Sequence, residues 1–121
     1  MLFTKLLNKA EHLIRGESAE EQAHKFLMDK GLKPVSRNFR CKLGELDLIM
    51  QDKQTLVIVE VRFRKSDKYG SAVESVTQSK QSRIIAATQI YLSSKKINPR
   101  LRFDVVAISG NGNVEWIQNA F

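Results

Sequence analysis

Hydrophobic and polar positions alternate most cleanly between Gly44 and Arg64, in GELDLIMQDKQTLVIVEVRFR. Leu46, Leu48 and Met50 alternate with Glu45, Asp47 and Ile49, the period of two that marks a half-buried strand. Thr55 to Phe63 follows as an apolar run that ends in alternation. Val57, Val59, Val61 and Phe63 fall on one side; Leu56, Ile58, Glu60, Arg62 and Arg64 fall on the other. A strand apolar on both faces for half its length belongs in the middle of a sheet. Glu60 stands where the apolar stretch ends. The connection Gln51-Asp52-Lys53-Gln54 is polar and short enough for a tight hairpin. With Asp52 and Lys53 as its turn, Met50 faces Thr55, Asp47 faces Ile58 and Glu45 faces Glu60. Asp47 and Glu60 are then diagonal neighbours on one face, roughly 7–8 Å apart between Cα atoms.

The flanking segments read as helices and shorter strands. Leu2, Phe3, Leu6, Leu7, Ala10, Leu13 and Ile14 recur at helical spacing, which predicts an amphipathic helix over residues 1–15 as an extension to a domain of residues 16–121. Ser18 with Glu21 makes a capping box for a helix reaching Lys30, with Ala19, Ala23, Phe26 and Leu27 inward and Gly31 as its stop. Val35 to Phe39 predicts a first strand. A polar loop covers Lys65 to Ser75, and Thr77 to Ser93 predicts a helix with Ile84, Thr88, Tyr91 and Leu92 on one stripe. Leu101–Ile108 and Val114–Ile117 are strands joined through Gly110-Asn111-Gly112-Asn113. The order α-α-β-β-β-α-β-β predicts an α/β sandwich around a mixed sheet.

Composition narrows the classes of partner. The 121 residues make one domain with a core of its own. Lys and Arg outnumber Asp and Glu by 20 to 13, a net charge of +7 and a pI near 9.8. That excess suits nucleic acid first and an acidic membrane surface second, against the plain alternative of a solvated basic protein. The single cysteine, Cys41, excludes an intramolecular disulfide and a multi-cysteine zinc site. No stretch approaches the ~20 apolar residues of a transmembrane span. Lys5, Lys9 and Glu11 interrupt the early apolar positions, so no cleavable signal peptide is expected and the expected compartment is the cytoplasm.

The acids of the hairpin are the candidate chemistry. Carboxylates placed as Asp47 and Glu60 are can bridge a divalent cation through hard oxygen ligands at about 2.0–2.6 Å. Without a cation, like charges facing each other in a sheet are destabilising. The alternative is an ion-pair cluster in which Arg62 and Arg64 neutralise the acids. Glu45 is a rival ligand in the same register. Arg37, Arg40, Lys42, Arg64, Lys65, Lys68 and Lys80 are candidate nucleic-acid contacts, and Tyr69 is a candidate platform for an unpaired base. His12 and His24 lack partner histidines. Asp104, two residues from Arg102, reads as an acid that orders the sheet; Trp116 and Phe121 read as core or partner contacts.

An acid, a hairpin and then E-x-basic within an apolar strand resembles the PD-(D/E)XK nuclease signature, with Asp47, Glu60 and Arg62 at its three positions. The blocks GELDLI, LVIVEVRFR, YGSAVESVTQSKQ and RFDVVAI together resemble the YraN family of small bacterial proteins, from Glu17 to the C-terminus. The resemblance implies a restriction-endonuclease-like fold and a metal-dependent endonuclease acting on DNA. It implies catalytic Asp47, Glu60 and Arg62, and Mg²⁺ or Mn²⁺ held by Glu20, Asp47 and Glu60. Glu20 is chosen because AEEQAHKFL is similar to the family's G-E-x-x-A-x-x-x-L segment, with Ala19 in place of the glycine. Likeness to archaeal junction resolvases extends the expectation to branched or structured DNA. Arg62 departs from the usual lysine: it stays protonated and cannot act as a general base, though it can hold a phosphate. A non-catalytic nucleic-acid-binding module of the same fold and a protein-interaction adaptor are the alternatives, and a homodimer is left open.

Overall fold

A computed structural model describes residues 19–65 and 70–121. The expected N-terminal helix, the Ser18 cap, Lys68 and Tyr69 lie outside the described residues. Helix α1 occupies residues 19–29 and buries Ala19, Ala23 and Leu27, one residue per turn along a single stripe. It stops where expected. Gly31 takes φ +96°, and the Leu32 N–H returns to the Leu27 carbonyl at 3.0 Å. Strand β1 (Lys33–Cys41) leads to β2 (Gly44–Asp52) and β3 (Thr55–Arg64). Helix α2 (Gln78–Lys95), β4 (Arg100–Ser109) and β5 (Val114–Ile117) complete the chain. The Thr77 hydroxyl caps α2 by accepting the Lys80 N–H at 3.1 Å.

The five strands form one sheet in the order β1-β2-β3-β4-β5. All neighbours are antiparallel except β3 and β4, which run parallel from Thr55 opposite Arg100 to Arg64 opposite Ser109. Parallel neighbours need a crossover, and α2 supplies it. The strand β3 is central, as its two apolar faces require. Leu56, Ile58, Val105 and Ala107 pack toward Ile84, Ala87 and Tyr91 of α2. Val57, Val59, Val106 and Ile108 pack toward Ala23 and Leu27 of α1. Each such aliphatic side chain, once buried, stabilises by about 1.5–3 kcal/mol. The architecture is an α/β sandwich on a mixed sheet, consistent with the restriction-endonuclease-like fold. Among the described residues no helix is long and apolar enough to cross a membrane.

The expected hairpin register is corrected. Asp52 faces Thr55 and Met50 faces Val57, so the turn is Lys53-Gln54 rather than Asp52-Lys53. Lys53 adopts φ +55°, the Gln51 side-chain amide donates to its carbonyl, and Asp52 is held in the strand by Arg102 at 3.0 Å. Because the pairing moves by two positions, every side chain of β3 keeps its expected face. What changes is the partner: one step beyond Leu48–Val59, the residue across from Glu60 is Asp47, not Glu45.

The expected alternation of β2 also breaks at Asp47. Leu46 packs on the α2 side, whereas Leu48, two residues on, packs on the α1 side. Asn38, between the residues facing Leu48 and Leu46, has φ +55°, a left-handed conformation that asparagine tolerates. The two edges of β2 are therefore irregular at one level, and an acid sits there.

Asp104 orders the sheet, as its spacing from Arg102 implied. It is fully buried and accepts hydrogen bonds from Arg102, from Trp116 Nε1 at 2.9 Å and from the Asn119 N–H at 2.9 Å. Arg102 reaches on to Asp52, tying β4 to the hairpin turn. Trp116 packs against the α1-side core and meets Phe26 edge-on, while Phe121 stacks on Phe103.

Candidate functional site

The site grows out of the break in β2. Where the ladder between β2 and β3 stops, the Val61 N–H donates to Asp47 Oδ2 at 2.9 Å instead of to a backbone carbonyl. That bond aims the Asp47 carboxylate across the hairpin at Glu60. Glu60 is only 5% exposed, on the α2-facing side of β3 at the end of its buried stretch. Two acids thus share one poorly hydrated place.

Their titration reflects that placement. Burial, then the neighbouring Asp47 charge, pushes the Glu60 carboxyl up to about 7, while Lys80 and Arg62 oppose the rise. Burial also raises Asp47, against the Val61 N–H and the Lys80 charge. A proton on Glu60 hydrogen-bonds to Asp47, so the pair titrates as a unit. Burial and the Asp47 charge likewise raise Glu20, at the start of α1, with Arg37 and Asn38 offsetting them. Glu20 therefore feels the Asp47 charge from α1.

Two cations address Glu60. Lys80 Nζ lies 3.7 Å and Arg62 Nη1 3.9 Å from its Oε1. Arg62 is otherwise engaged: its Nε donates to Ser75 Oγ at 3.2 Å and its Nη2 to the Ser75 carbonyl at 3.3 Å. Lys80, in the first turn of α2, also lines an open cleft of about 360 Å³ with Arg40, Lys42, Glu45 and Arg83. The cleft lies where the turn between β1 and β2 meets α2. Gly44 makes that approach: a Cβ there would stand 2.8 Å from the Arg83 carbonyl oxygen. Arg83 was missed as a site residue. Its offset of three from Lys80 on one helix was the available signal.

The profile of uncharacterised protein family UPF0102 matches residues 19–108, a span holding every residue of this site. The chain belongs to this family. UPF0102 is the YraN family that the sequence blocks resembled. A UPF0102 protein of Saccharophagus degradans is 54% identical over 114 residues, covering 93% of this chain and 96% of that protein. A UPF0102 protein of Nitrosococcus oceani is 43% identical over 120 residues, covering 95% and 97%. One from Hahella chejuensis is 51% identical over 109 residues, covering 88% of each.

In this UPF0102 protein the remaining candidates are scattered. Glu45 ion-pairs Arg40 at 3.7 Å on the exposed side of the turn, away from the position across from Glu60. Arg37 reaches α1 and pairs with Glu21 at 3.0 Å. Arg64 donates to the Gly70 carbonyl at 2.7 Å. Lys65 lines a different hollow, with Phe63, Gly110 and Gly112. Among the described residues Arg40, Lys42 and Lys80 share the cleft, whereas Arg37, Arg64 and Lys65 have other neighbours. Burial, then the Arg37 charge, lowers the His24 imidazole below its ordinary value, and its Nε2 has no hydrogen-bond partner among the described residues. Among those residues no three His, Cys, Asp or Glu side chains gather into a ready-made metal cage.

Proposed function

We propose that this protein is a metal-dependent endonuclease acting on DNA, with branched or otherwise structured duplexes as its substrate class. The observation that carries the reading is the pairing of half-buried Asp47 with buried Glu60, with Glu60 pushed up to about 7 beside an open basic cleft. Even beside Lys80 and Arg62 the two facing acids cost stability, since burial and mutual repulsion still raise both, and such costs are kept where they serve a function. The donor set suits Mg²⁺ or Mn²⁺. Mg²⁺ commonly takes one or two carboxylates and fills its other positions with water and substrate phosphate, so a three-residue cage is not required.

Asp47 and Glu60 would hold the cation, with the Val61 carbonyl as a further oxygen donor and Glu20 approaching from α1. When bound, the cation supplies an activated water and polarises the phosphate. The chain supplies position. The Val61 N–H fixes Asp47, Arg62 steadies Glu60, and Arg40 and Lys42 attract the DNA backbone along the cleft. The choice of branched DNA rests on the fold's likeness to junction resolvases.

The observation favouring a non-catalytic DNA-binding module is Arg62, which stands where the nuclease pattern has lysine. Cleavage decides between the two readings. Supercoiled duplex, single-stranded and four-way-junction DNA are incubated with Mg²⁺, Mn²⁺ or EDTA. Cut junctions with either metal, and none with EDTA or with Asp47→Asn, are the expected result. Salt-sensitive DNA binding with no cut product on any substrate would leave the binding module.

A further inference from the structure

We infer that Lys80, not Arg62, is the cation this site brings to the reacting phosphate, with Arg62 a positioning residue; the inference rests on the nuclease reading above. Arg62 occupies the sequence position of the usual lysine, but its guanidinium is already spent. Nε and Nη2 both bind Ser75, whose own hydroxyl donates to the Ala72 carbonyl at 2.6 Å. Ala72 and Val76 on that turn are buried in the α2-side core. Arg62 therefore pins the 72–76 turn to β3 and shows only Nη1 to Glu60. Reaching a phosphate would mean releasing both bonds and loosening the turn.

Lys80 has the opposite relation to its surroundings. Its backbone is fixed by the Thr77 cap, while its side chain is a flexible stem bearing a compact charge. Its ammonium lies 3.7 Å from Glu60 Oε1, beyond hydrogen-bonding reach of that oxygen, so the ion pair leaves its N–H donors for another anion. It also lines the cleft that Arg40, Lys42 and Arg83 make positive. Lys80 thus contacts Glu60 of the carboxylate pair and also lines the neighbouring cleft. The position lost from the strand is refilled from the helix.

In the hydrolysis a water oxygen forms the new bond to phosphorus and its proton leaves to solvent. The opposite P–O ester bond breaks, and the departing oxygen takes a proton from water. No electrons change hands. The Lys80 ammonium acts as a fixed positive charge against the non-bridging oxygens, where negative charge grows in the transition state.

The test compares single-turnover cleavage with Mn²⁺, DNA affinity with Ca²⁺ in place of Mn²⁺, and thermal unfolding. The proteins are wild type, Lys80→Ala, Arg62→Ala, and Lys80→Cys in a Cys41→Ser background. Alkylating the last with 2-bromoethylamine rebuilds an ammonium of nearly the lysine length. Lys80→Ala is expected to cut about 100-fold or more slowly, in the range of a lost oxyanion donor, with DNA affinity within about threefold of wild type. Alkylation should restore most of the rate. Arg62→Ala should melt at lower temperature and lose much less rate per folded molecule than Lys80→Ala, with no change in the salt dependence of DNA binding. The assignment is overturned by undiminished cleavage in Lys80→Ala, by equal losses of rate and affinity there, by no rescue on alkylation, or by a rate loss confined to Arg62→Ala. Absence of cleavage in the wild type overturns the nuclease reading and this assignment with it.

Discussion

Glu60→Gln is expected to stabilise the protein above neutral pH while abolishing metal-dependent cleavage. Below pH 4.5, the ordinary glutamate value, Glu60 is protonated whether the chain is folded or not, and the pair costs nothing. Between 4.5 and about 7 the unfolded chain releases that proton while the folded chain retains it. The unfolded state then binds fewer protons, so stability falls as pH rises through this window and levels off above it. The interval corresponds to about 3 kcal/mol. Asp47 and Glu20 are displaced in the same direction and add to the fall. Glutamine has no charge to bury and can donate its amide to Asp47. Denaturant unfolding at pH 4.5, 6 and 8 for wild type and Glu60→Gln gives the difference directly. The variant should gain on the wild type as pH rises; a difference independent of pH would mean the acid is well accommodated in the free protein.

Asp104→Ala is expected to destabilise by about 3–5 kcal/mol, the cost of stranding partners of a buried charge. It would leave Arg102, the Trp116 indole N–H and the Asn119 N–H without their shared acceptor in a place sealed from water. Arg102 would keep its 3.0 Å pair with Asp52 but lose the Asp104 bonds that orient its guanidinium. Asp104 is remote in role from the Asp47–Glu60 pair, so any cleavage per folded molecule should persist. Chemical denaturation measures the loss, and a change below about 1 kcal/mol would show that the network is replaceable by water.

The contrast between these acids shows what the sequence made legible. Strand β3 was readable because its apolar run is long enough to need cover on both faces, and Glu60 because it ends that run. The Thr77 start of α2 followed from its apolar stripe, and the role of Asp104 from its spacing of two from Arg102. The hairpin register did not. A two-position slip leaves every side chain of a strand on the same face, so alternation cannot detect it, and Asp52-Lys53-Gln54 contains no glycine to fix the turn. The left-handed Asn38 that accompanies the change of face in β2 left no pattern either, since one such residue is a decision of tertiary packing. The basic residues misled for a related reason. Arg37 and Arg40 flank that break, and one turns to α1 while the other lines the cleft.

Mn²⁺ titration calorimetry at pH 8 tests most directly whether the Asp47–Glu60 pair exists to hold a cation. At that pH, above the value of about 7 for Glu60, the Glu60 carboxyl of the free protein is largely ionised, so its proton release contributes little and the repulsion a cation would relieve is strong. Wild type should bind Mn²⁺, and the double variant Asp47→Asn with Glu60→Gln should remain folded and bind none. Equal Mn²⁺ affinity in both proteins, or no binding by the wild type, would contradict the account.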